Sequence, residues 1–196
     1  YLIAKTDPIT FATDEIGWYA VNVNANDIAC TGGDPRWFLA TALLPAGQTD
    51  AALAESTFAQ LAGACRDLGI TLIGGHTEIT HGIDRPIVIG LMLGETTPDA
   101  LVRTGGAQPG DVLLLTKGIA VEGVAIIARE KAKELAGQFD AAFIAKCQNF
   151  LHNPGISVVR DAQIVREEAH VHAMHDPTEG RLATALHELA SAADVG

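Results

Sequence analysis

The chain has 196 residues, 48% of them hydrophobic and 19% charged, a composition that is ordinary for a globular protein with a sizeable core. Its 24 acidic and 13 basic residues give a net charge of −11, which disfavours nucleic acid as a partner because the phosphate backbone is itself negative. Three cysteines without a paired short spacing argue against a disulfide framework and a zinc cluster, and indicate a reducing cytoplasm. The apolar runs are too short to cross a bilayer, so no membrane partner is expected.

Residues 1–107 are predicted to alternate strands with helices. The chain begins inside a predicted strand without an initiator methionine and ends directly after a predicted helix, so we expect a fragment of a longer protein. An N-cap at Asp14 and a glycine stop at Gly32 indicate a helix over 15–30, and a second helix begins at the Asp50 cap and stops at Gly69. The predicted strands of this part are 1–5, 36–44, 70–73 and 86–93.

A turn-rich connector divides the chain. Residues 104–110 read Thr-Gly-Gly-Ala-Gln-Pro-Gly, and we place a domain boundary there, with domains at 1–107 and 108–196. Because strands alternate with helices throughout, the fold class is α/β or α+β. The elements predicted beyond the connector are strands at 111–116 and 170–174 and helices at 121–136, 140–151, 158–169 and 178–192.

One face of the helix predicted over 15–30 carries a carboxylate among apolar side chains. Steps of four, three, four and three residues place these positions together: Ile16, Ala20, Val23, Asp27 and Cys30. A carboxylate on a buried stripe is costly unless a cation or a hydrogen-bond donor meets it. The pattern favours a metal or phosphate site at Asp27; the alternative is a cap on a neighbouring helix or an ion pair with an arginine such as Arg36.

Two further aspartates follow predicted strands. Asp7 ends the first strand before Pro8, and Asp176 ends the strand over 170–174 before Pro177, where capping of the next helix explains it equally well. Ligand sites of α/β proteins form at such strand-to-helix junctions. Together with Asp27, these carboxylates form a candidate set for a hard cation such as Mg²⁺.

A glycine pair follows the strand predicted over 70–73. In the turn predicted at Gly74-Gly75-His76-Thr77, the missing side chains let the backbone approach a ligand closely, with amides available to it. A Gly-Gly turn after a strand is common, so the segment by itself is a weak indication of a site.

Histidines raise the alternative of a transition-metal site. Two sets occur: His76 with Glu78 and His81, and His170 with His172 and His175. Neither set has a cysteine or a further ligand at suitable spacing, and strand alternation places His175 opposite to His170 and His172. The sequence also has no Gly-x-Ser-x-Gly elbow, no P-loop and no Gly-x-Gly-x-x-Gly after a strand, which disfavours a nucleophilic triad and a P-loop or Rossmann site.

With these residues in view, the chain resembles the aminoimidazole-ribonucleotide (AIR) synthetase superfamily, whose fold is called PurM-like. The superfamily includes thiamine-monophosphate kinase, selenophosphate synthetase and the ATP-dependent carbamoyl dehydratase of hydrogenase maturation. The resemblance spans nearly the whole chain and rests on an ordered set of segments: 5–8 (Lys-Thr-Asp-Pro), 24–29 (Asn-Ala-Asn-Asp-Ile-Ala), 32–35 (Gly-Gly-Asp-Pro), 74–77 (Gly-Gly-His-Thr), 105–117 and 176–180 (Asp-Pro-Thr-Glu-Gly).

The resemblance implies a two-domain PurM-like architecture. Its N-terminal mixed sheet, flanked by helices, binds ATP and pairs into a homodimer, and a truncated C-terminal α+β domain follows. The residues that it assigns are Asp7, Asp27 and Asp176 to the Mg²⁺ that bridges the ATP phosphates, and Asn26, Gly74, Gly75, Thr77 and Thr178 to nucleotide binding. His76 departs from the family pattern and is our own candidate for catalysis. Many members have aspartate where His76 stands, whereas selenophosphate synthetases resemble this chain, and we expect His76 to position the nucleophile.

The implied reaction is Mg²⁺-dependent phosphoryl transfer from ATP to an oxygen or similar nucleophile of a small molecule or a protein-borne group. The first segments favour the hydrogenase-maturation-like or AIR-synthase-related branch; a phosphotransferase like selenophosphate synthetase or thiamine-monophosphate kinase is the alternative. Two rivals belong to other classes: a non-catalytic ATP-binding assembly protein and a histidine-based transition-metal protein.

Overall fold

The computed structural model describes residues 1–178 and 180–196, which form two compact units. The first unit contains Tyr1–Ile28 and Gly33–Pro98, and the second contains Ala29–Gly32 and Asp99–Gly196. The boundary after residue 107 stays a prediction. Among the helices of the described residues, none is both long and apolar enough to span a lipid bilayer.

The first unit is a four-stranded mixed sheet with two helices. Its elements are β1 (Leu2–Ile9), α1 (Ile16–Cys30, whose last turn belongs to the second unit), β2 (Asp34–Pro45), α2 (Ala51–Asp67), β3 (Thr71–Thr80) and β4 (Ile87–Glu95). The strand order is β1-β4-β2-β3; β4 is antiparallel to β1 and β2, and β2 is parallel to β3. The parallel pair is joined through α2, since parallel strands need a crossover connection.

α2 begins at its predicted cap and α1 ends before its predicted glycine, while the Asp14 cap of α1 stays a prediction. Asp50 accepts a hydrogen bond from the Leu53 N–H at 2.8 Å and caps α2. Gly32, with φ of 76°, follows the end of α1 in a conformation that favours glycine. α1 is buried over almost its whole surface, and α2 buries one face at Thr57, Leu61, Ala64 and Cys65.

β1 extends past its predicted end. The strand continues through Asp7 to Ile9 because this segment pairs with β4, where Asp7 lies opposite Gly90. Pro8 does not interrupt the strand, since β1 lies at the edge of the sheet, where a missing N–H is tolerated. The prediction that Asp7 ends the strand is therefore wrong.

The glycine pair lies inside β3 rather than in a turn. β3 continues to Thr80 beside β2, and the register shifts between Phe38 and Leu39 so that Ile73 is an extra residue, a β-bulge. A glycine pair fits such an irregular strand as well as a turn, because glycine tolerates the backbone angles of either. The turn predicted at 74–77 is therefore wrong.

The second unit is helical. Its elements are a 3₁₀ helix (Thr104–Gly106), α3 (Val121–Glu130), α4 (Ala132–Leu135), α5 (Ala141–Gln148), a second 3₁₀ helix (Asn149–Leu151), α6 (Val159–Glu168) and α7 (Arg181–Ala193). The helix predicted over 121–136 is divided at Lys131, whose φ of −111° and ψ of 19° are not helical. The helix predicted over 178–192 begins at Arg181 after Gly180, and Glu179 lies outside the described residues.

Neither strand predicted for this unit forms. Residues 111–116 and 170–174 are irregular and have no ladder partner among the described residues. Val112 and Leu114 are 83% and 78% exposed. An apolar run forms a strand only where another segment supplies hydrogen-bond partners, so a local pattern cannot decide the matter. Both predictions are wrong for this reason.

Candidate functional site

Asp7 and Asp27 of the first unit both form an ion pair with the side chain of Lys5. The Nζ atom of Lys5 is 3.6 Å from Asp7 Oδ2 and 3.2 Å from Asp27 Oδ1. The Asp27 side chain is only 23% exposed, so the cation offsets part of the cost of removing this carboxylate from water. The alternative partner Arg36 is engaged elsewhere on the sheet.

Strand and helix periodicity bring these three charges together. Lys5 and Asp7 are two residues apart in β1 and therefore face the same side of the sheet. Asp27 lies on α1, one turn after the buried Asn24, whose Nδ2 donates to the backbone oxygen of Asp7 at 3.3 Å and to that of Ala20 at 2.8 Å. α1 is thereby connected to β1 beside the carboxylates.

A row of small residues crosses the sheet from Asp7. Asp7 pairs with Gly90, Gly90 with Ala40, and Ala40 with Gly75. A side chain at Gly90 would come within 2.4 Å of Asn24 Nδ2, so the absence of a Cβ there lets Asn24 reach β1. Small residues in this row keep the helix-facing side of the sheet open near the candidate site.

A cavity of about 560 Å³ lies at the far end of this row, between α2 and β3. Apolar side chains and the glycine-containing segment of β3 line it: Ala40, Phe58, Leu61, Leu72, Ile73, Gly74, Gly75, His76 and Thr77. Four predicted site residues, at positions 74–77, therefore line one concave surface. An apolar cavity with a few polar groups is the usual form of a small-molecule site.

His76 and Thr77 are exposed on β3. His76 Nε2 is 3.9 Å from Glu78 Oε2, a loose contact between side chains that are 66% and 58% exposed. The two residues share a face because they are two positions apart in the strand. His76 can thus reach a ligand in the cavity, while Glu78 is its nearest charged neighbour in the described structure.

The structure gathers the predicted residues into separate groups. Asp7 and Asp27 lie at the β1 edge, whereas the segment 74–77 belongs to β3 at the opposite edge, roughly 14 Å away at three strand spacings. Asn26 is buried in α1 next to Asp27. Asp176 and Thr178 belong to the second unit, in the irregular segment that precedes α7.

Two histidine–carboxylate pairs hold the segment that leads to Asp176. His172 Nδ1 is 2.8 Å from Asp111 Oδ1, and His175 Nε2 is 2.6 Å from Glu188 Oε2 on α7. The Gln108 N–H donates to Asp111 Oδ2 at 2.8 Å. That N–H and, next, the hydrogen bond with His172 hold the pKa of the Asp111 carboxyl below its usual value.

The donor set at Asp7 and Asp27 fits a hard cation. Both side chains offer carboxylate oxygens, the ligands that Mg²⁺ prefers, and the ammonium of Lys5 already stands where they meet. Asn24 adds a buried Oδ1 to which no described residue donates. Over residues 1–178 and 180–196 no three His, Cys, Asp or Glu side chains form a metal-binding cluster.

Sequence reasoning missed two contributors to this site, Lys5 and Asn24. Each stands in a segment that carries the family resemblance, yet neither received a role. Their spacing contained the signal: Lys5 is two residues from Asp7 in a strand, and Asn24 is three residues from Asp27 in a helix. A search for side chains on the same face as each carboxylate would have found both.

Models of one protein family match both parts of the chain. The AIR synthase related protein N-terminal domain matches residues 1–96, and the corresponding C-terminal domain matches residues 108–196. The architecture is PurM-like, a mixed α/β fold. The chain belongs to the AIR synthase related family, which confirms the resemblance drawn from the sequence segments.

The relatives that the chain matches include a carbamoyl dehydratase and a dikinase. Carbamoyl dehydratase HypE of Cupriavidus necator is 29% identical over 191 residues, which cover 96% of this chain and 51% of the relative. Selenide, water dikinase of Rhizobium meliloti is 33% identical over 125 residues, covering 61% of this chain and 34% of the relative. The chain spans about half the length of the first of these relatives.

Solved structures share the fold. Hydrogenase maturation protein HypE in complex with ATP matches with a TM-score of 0.80 and 25% identity, covering 98% of this chain and 56% of that structure. AaThiL, complexed with AMPPCP and TMP, matches with a TM-score of 0.75 and 19% identity over 98% of this chain and 60% of its own. The second likeness bears on the fold alone.

Proposed function

We propose that the chain is the nucleotide-binding part of a cytoplasmic, Mg²⁺-dependent enzyme that transfers a phosphoryl group from ATP to an oxygen or similar nucleophile, and that it acts in hydrogenase maturation. The observation that carries the proposal is that Asp7 and Asp27 both lie beside the ammonium group of Lys5, in a chain that belongs to this family. Support for ATP comes from the related HypE structure that contains it, and support for maturation from the carbamoyl dehydratase relatives.

In this proposal each predicted residue has a task. Asp7 and Asp27 would hold Mg²⁺, with Asp176 as a third expected ligand, and the bound ion would neutralise phosphate charge and align the transfer. His76 orients the nucleophile from the wall of the cavity. The residues that contact the nucleotide are Asn26, Gly74, Gly75, Thr77 and Thr178. The acceptor is a small molecule or a protein group, and the enzyme works as a homodimer.

The test is ATP turnover by the intact protein with Mg²⁺. Asp27→Asn keeps the size of the side chain but removes its charge, so we expect turnover to fall roughly 100-fold. Asp67→Asn, an exposed position at the end of α2, serves as the matched control and should behave as wild type. Turnover that is equal in wild type and Asp27→Asn would refute the assignment.

One further candidate is favoured by a specific observation. The selenide, water dikinase relative has 33% identity over its matched segment, so selenide is an alternative acceptor to examine alongside a carbamoyl group. A non-catalytic assembly protein is distinguished by the same assay: it binds ATP, measured by calorimetry, without turning it over with any acceptor.

A further inference from the structure

Lys5 is the cation that already stands between the two proposed metal ligands. Its Nζ lies 3.6 Å from Asp7 Oδ2 and 3.2 Å from Asp27 Oδ1, and its side chain is 39% exposed. Lys5 reaches this position from β1 itself, so it is part of the strand that carries Asp7. A lysine ammonium is a compact point charge on a flexible stem, so the Lys5 side chain can move away from the two carboxylates without a change in the backbone.

Asp27 is the carboxylate that α1 brings to this position. α1 carries Asp27 as its one ionisable acid and has no basic residue, and the β4 residue opposite Asp7 is Gly90. The local balance of Lys5, Asp7 and Asp27 is thus one negative charge. A divalent ion that binds both carboxylates must displace the ammonium or remain beside it against like-charge repulsion.

We propose that Lys5 is a tethered competitor of the divalent ion, and that it sets the metal affinity of the site formed by Asp7 and Asp27. This inference rests on the proposed function, because it takes the two carboxylates as metal ligands. With Lys5 in place, part of the negative charge of the metal-free site is neutralised from within the chain. Metal then binds tightly only when it arrives with phosphate, whose negative charge accepts the displaced ammonium.

The experiment measures metal binding without nucleotide, so that turnover plays no part. Mn²⁺ is titrated into the intact protein and followed by the electron paramagnetic resonance of the free ion, since Mn²⁺ prefers the same oxygen ligands as Mg²⁺. Lys5→Gln should bind Mn²⁺ about tenfold more tightly than wild type, which corresponds to about 1.4 kcal/mol. Lys5→Arg keeps a cation and should remain within about twofold of wild type.

A matched control separates the local effect from net charge. Arg36 also bridges two carboxylates of the first unit, with Asp34 Oδ2 at 3.6 Å and Glu95 Oε2 at 3.8 Å. Arg36→Gln removes the same charge from β2, two strands away from β1 in the sheet, and it should leave the Mn²⁺ affinity within about twofold of wild type. If Lys5→Gln and Arg36→Gln raise the Mn²⁺ affinity equally, the effect is one of overall charge and the proposal is overturned.

The remaining outcomes distinguish this inference from the function beneath it. If Asp27→Asn abolishes Mn²⁺ binding while Lys5→Gln leaves it unchanged or weaker, Lys5 is a structural lysine and the inference alone fails. If Mn²⁺ binds equally well to wild type and to Asp27→Asn, the metal site itself is misplaced and both proposals fail. Thermal unfolding of each variant establishes that it is folded under the titration conditions.

Discussion

Lys117 connects three parts of the second unit through one ammonium group. Its Nζ donates to the backbone oxygens of Gly155 and Ser157 and lies 3.5 Å from Asp161 Oδ2 on α6. Lys117→Met removes these bonds and leaves carbonyl groups with one donor fewer, so we expect a loss of about 1–3 kcal/mol in unfolding free energy, measured in urea. Lys131→Met, which breaks only an exposed pair with Glu134, should change the midpoint little.

Cys65 is a buried thiol on α2, and burial raises its pKa to about 11. Its thiolate is therefore scarce at pH 8, and the thiol should react with iodoacetamide only after unfolding. Because the neutral form is favoured in the folded state, its stabilising contribution is full below pH 9 and is lost as the pH rises towards 11. Peptide mass spectrometry checks the labelling, with the half-buried Cys30 as internal comparison. Rapid native labelling of Cys65 would contradict the prediction.

Periodicity predicted at this scale that a cation or a hydrogen-bond donor meets Asp27, and the metal or phosphate site that it favoured stays a prediction. The helical spacing placed Asp27 on a largely apolar face, and the structure pairs it with Lys5 while Arg36 pairs with Asp34 and Glu95. The reason is register: the residue of β1 that faces α1 is set by strand pairing across nearly the whole first unit. Nothing local to Asp27 specifies that pairing.

At the scale of elements, a substitution at Gly75 tests why β3 contains a glycine pair. A Cβ at Gly75 would lie 1.9 Å from the backbone oxygen of Ala40, and its φ of 147° is rare for other residues. Gly75→Ala should therefore lower the unfolding free energy by about 1–3 kcal/mol through displacement of β3 from β2. Gly63→Ala in α2 meets nothing within 4 Å and should be neutral or stabilising. Equal stability of the two variants would contradict this account.

The helices were easier to predict than the strands because their signals are local. Asp50 caps α2 as predicted, by accepting a backbone N–H three residues later, and Asp140 caps α5 in the same way. The strands needed distant partners: β1 runs to Ile9 because β4 continues beside it, whereas 111–116 stays irregular without a partner in the described chain. Pattern alone contains no information about that partner.

Asp111 links the connector to the segment that carries Asp176, and acid should weaken this link. The pKa of Asp111 is lowered by the Gln108 N–H and then by His172, so its stabilising contribution is present above about pH 4, its ordinary range, and is lost as the pH falls through the lowered value. The protection factors of the amides in residues 170–176, which allow for the slower intrinsic exchange in acid, should therefore fall on acidification in wild type. Asp111→Asn should exchange quickly already at pH 6.

Asp84→Asn provides the comparison for that experiment. Its carboxylate pairs only with the adjacent, exposed Arg85 among the contacts seen, and the hydrogen bond from Arg85 lowers its pKa in the same direction. The substitution should leave exchange of residues 170–176 unchanged, because the pair lies within one loop of the first unit. Fast exchange in this variant, or slow exchange in Asp111→Asn, would contradict the assigned link.

For the whole molecule, the sheet itself suggests how two copies meet. Within the described residues β3 pairs with β2 on one side only, and nearly every residue of β3 is exposed, including Ile73 and Ile79. Long apolar edge strands are seldom left open in soluble proteins, because they pair with other chains. The β3 edge also carries the segment 74–77, roughly 14 Å from Asp7 in the same sheet. A second copy on this edge would add its own surface to the cavity.

We therefore expect the intact protein to be a dimer that depends on β3. Ile79, 61% exposed, is replaced by lysine, a charge that natural edge strands use to prevent pairing. Light scattering after size exclusion should give a dimer mass for wild type and a monomer mass for Ile79→Lys, with weaker ATP binding in the variant. Ile164→Lys, which introduces the same charge at an exposed isoleucine of α6, should remain dimeric. A dimeric Ile79→Lys protein would place the interface elsewhere, and a monomeric wild type would refute the dimer itself.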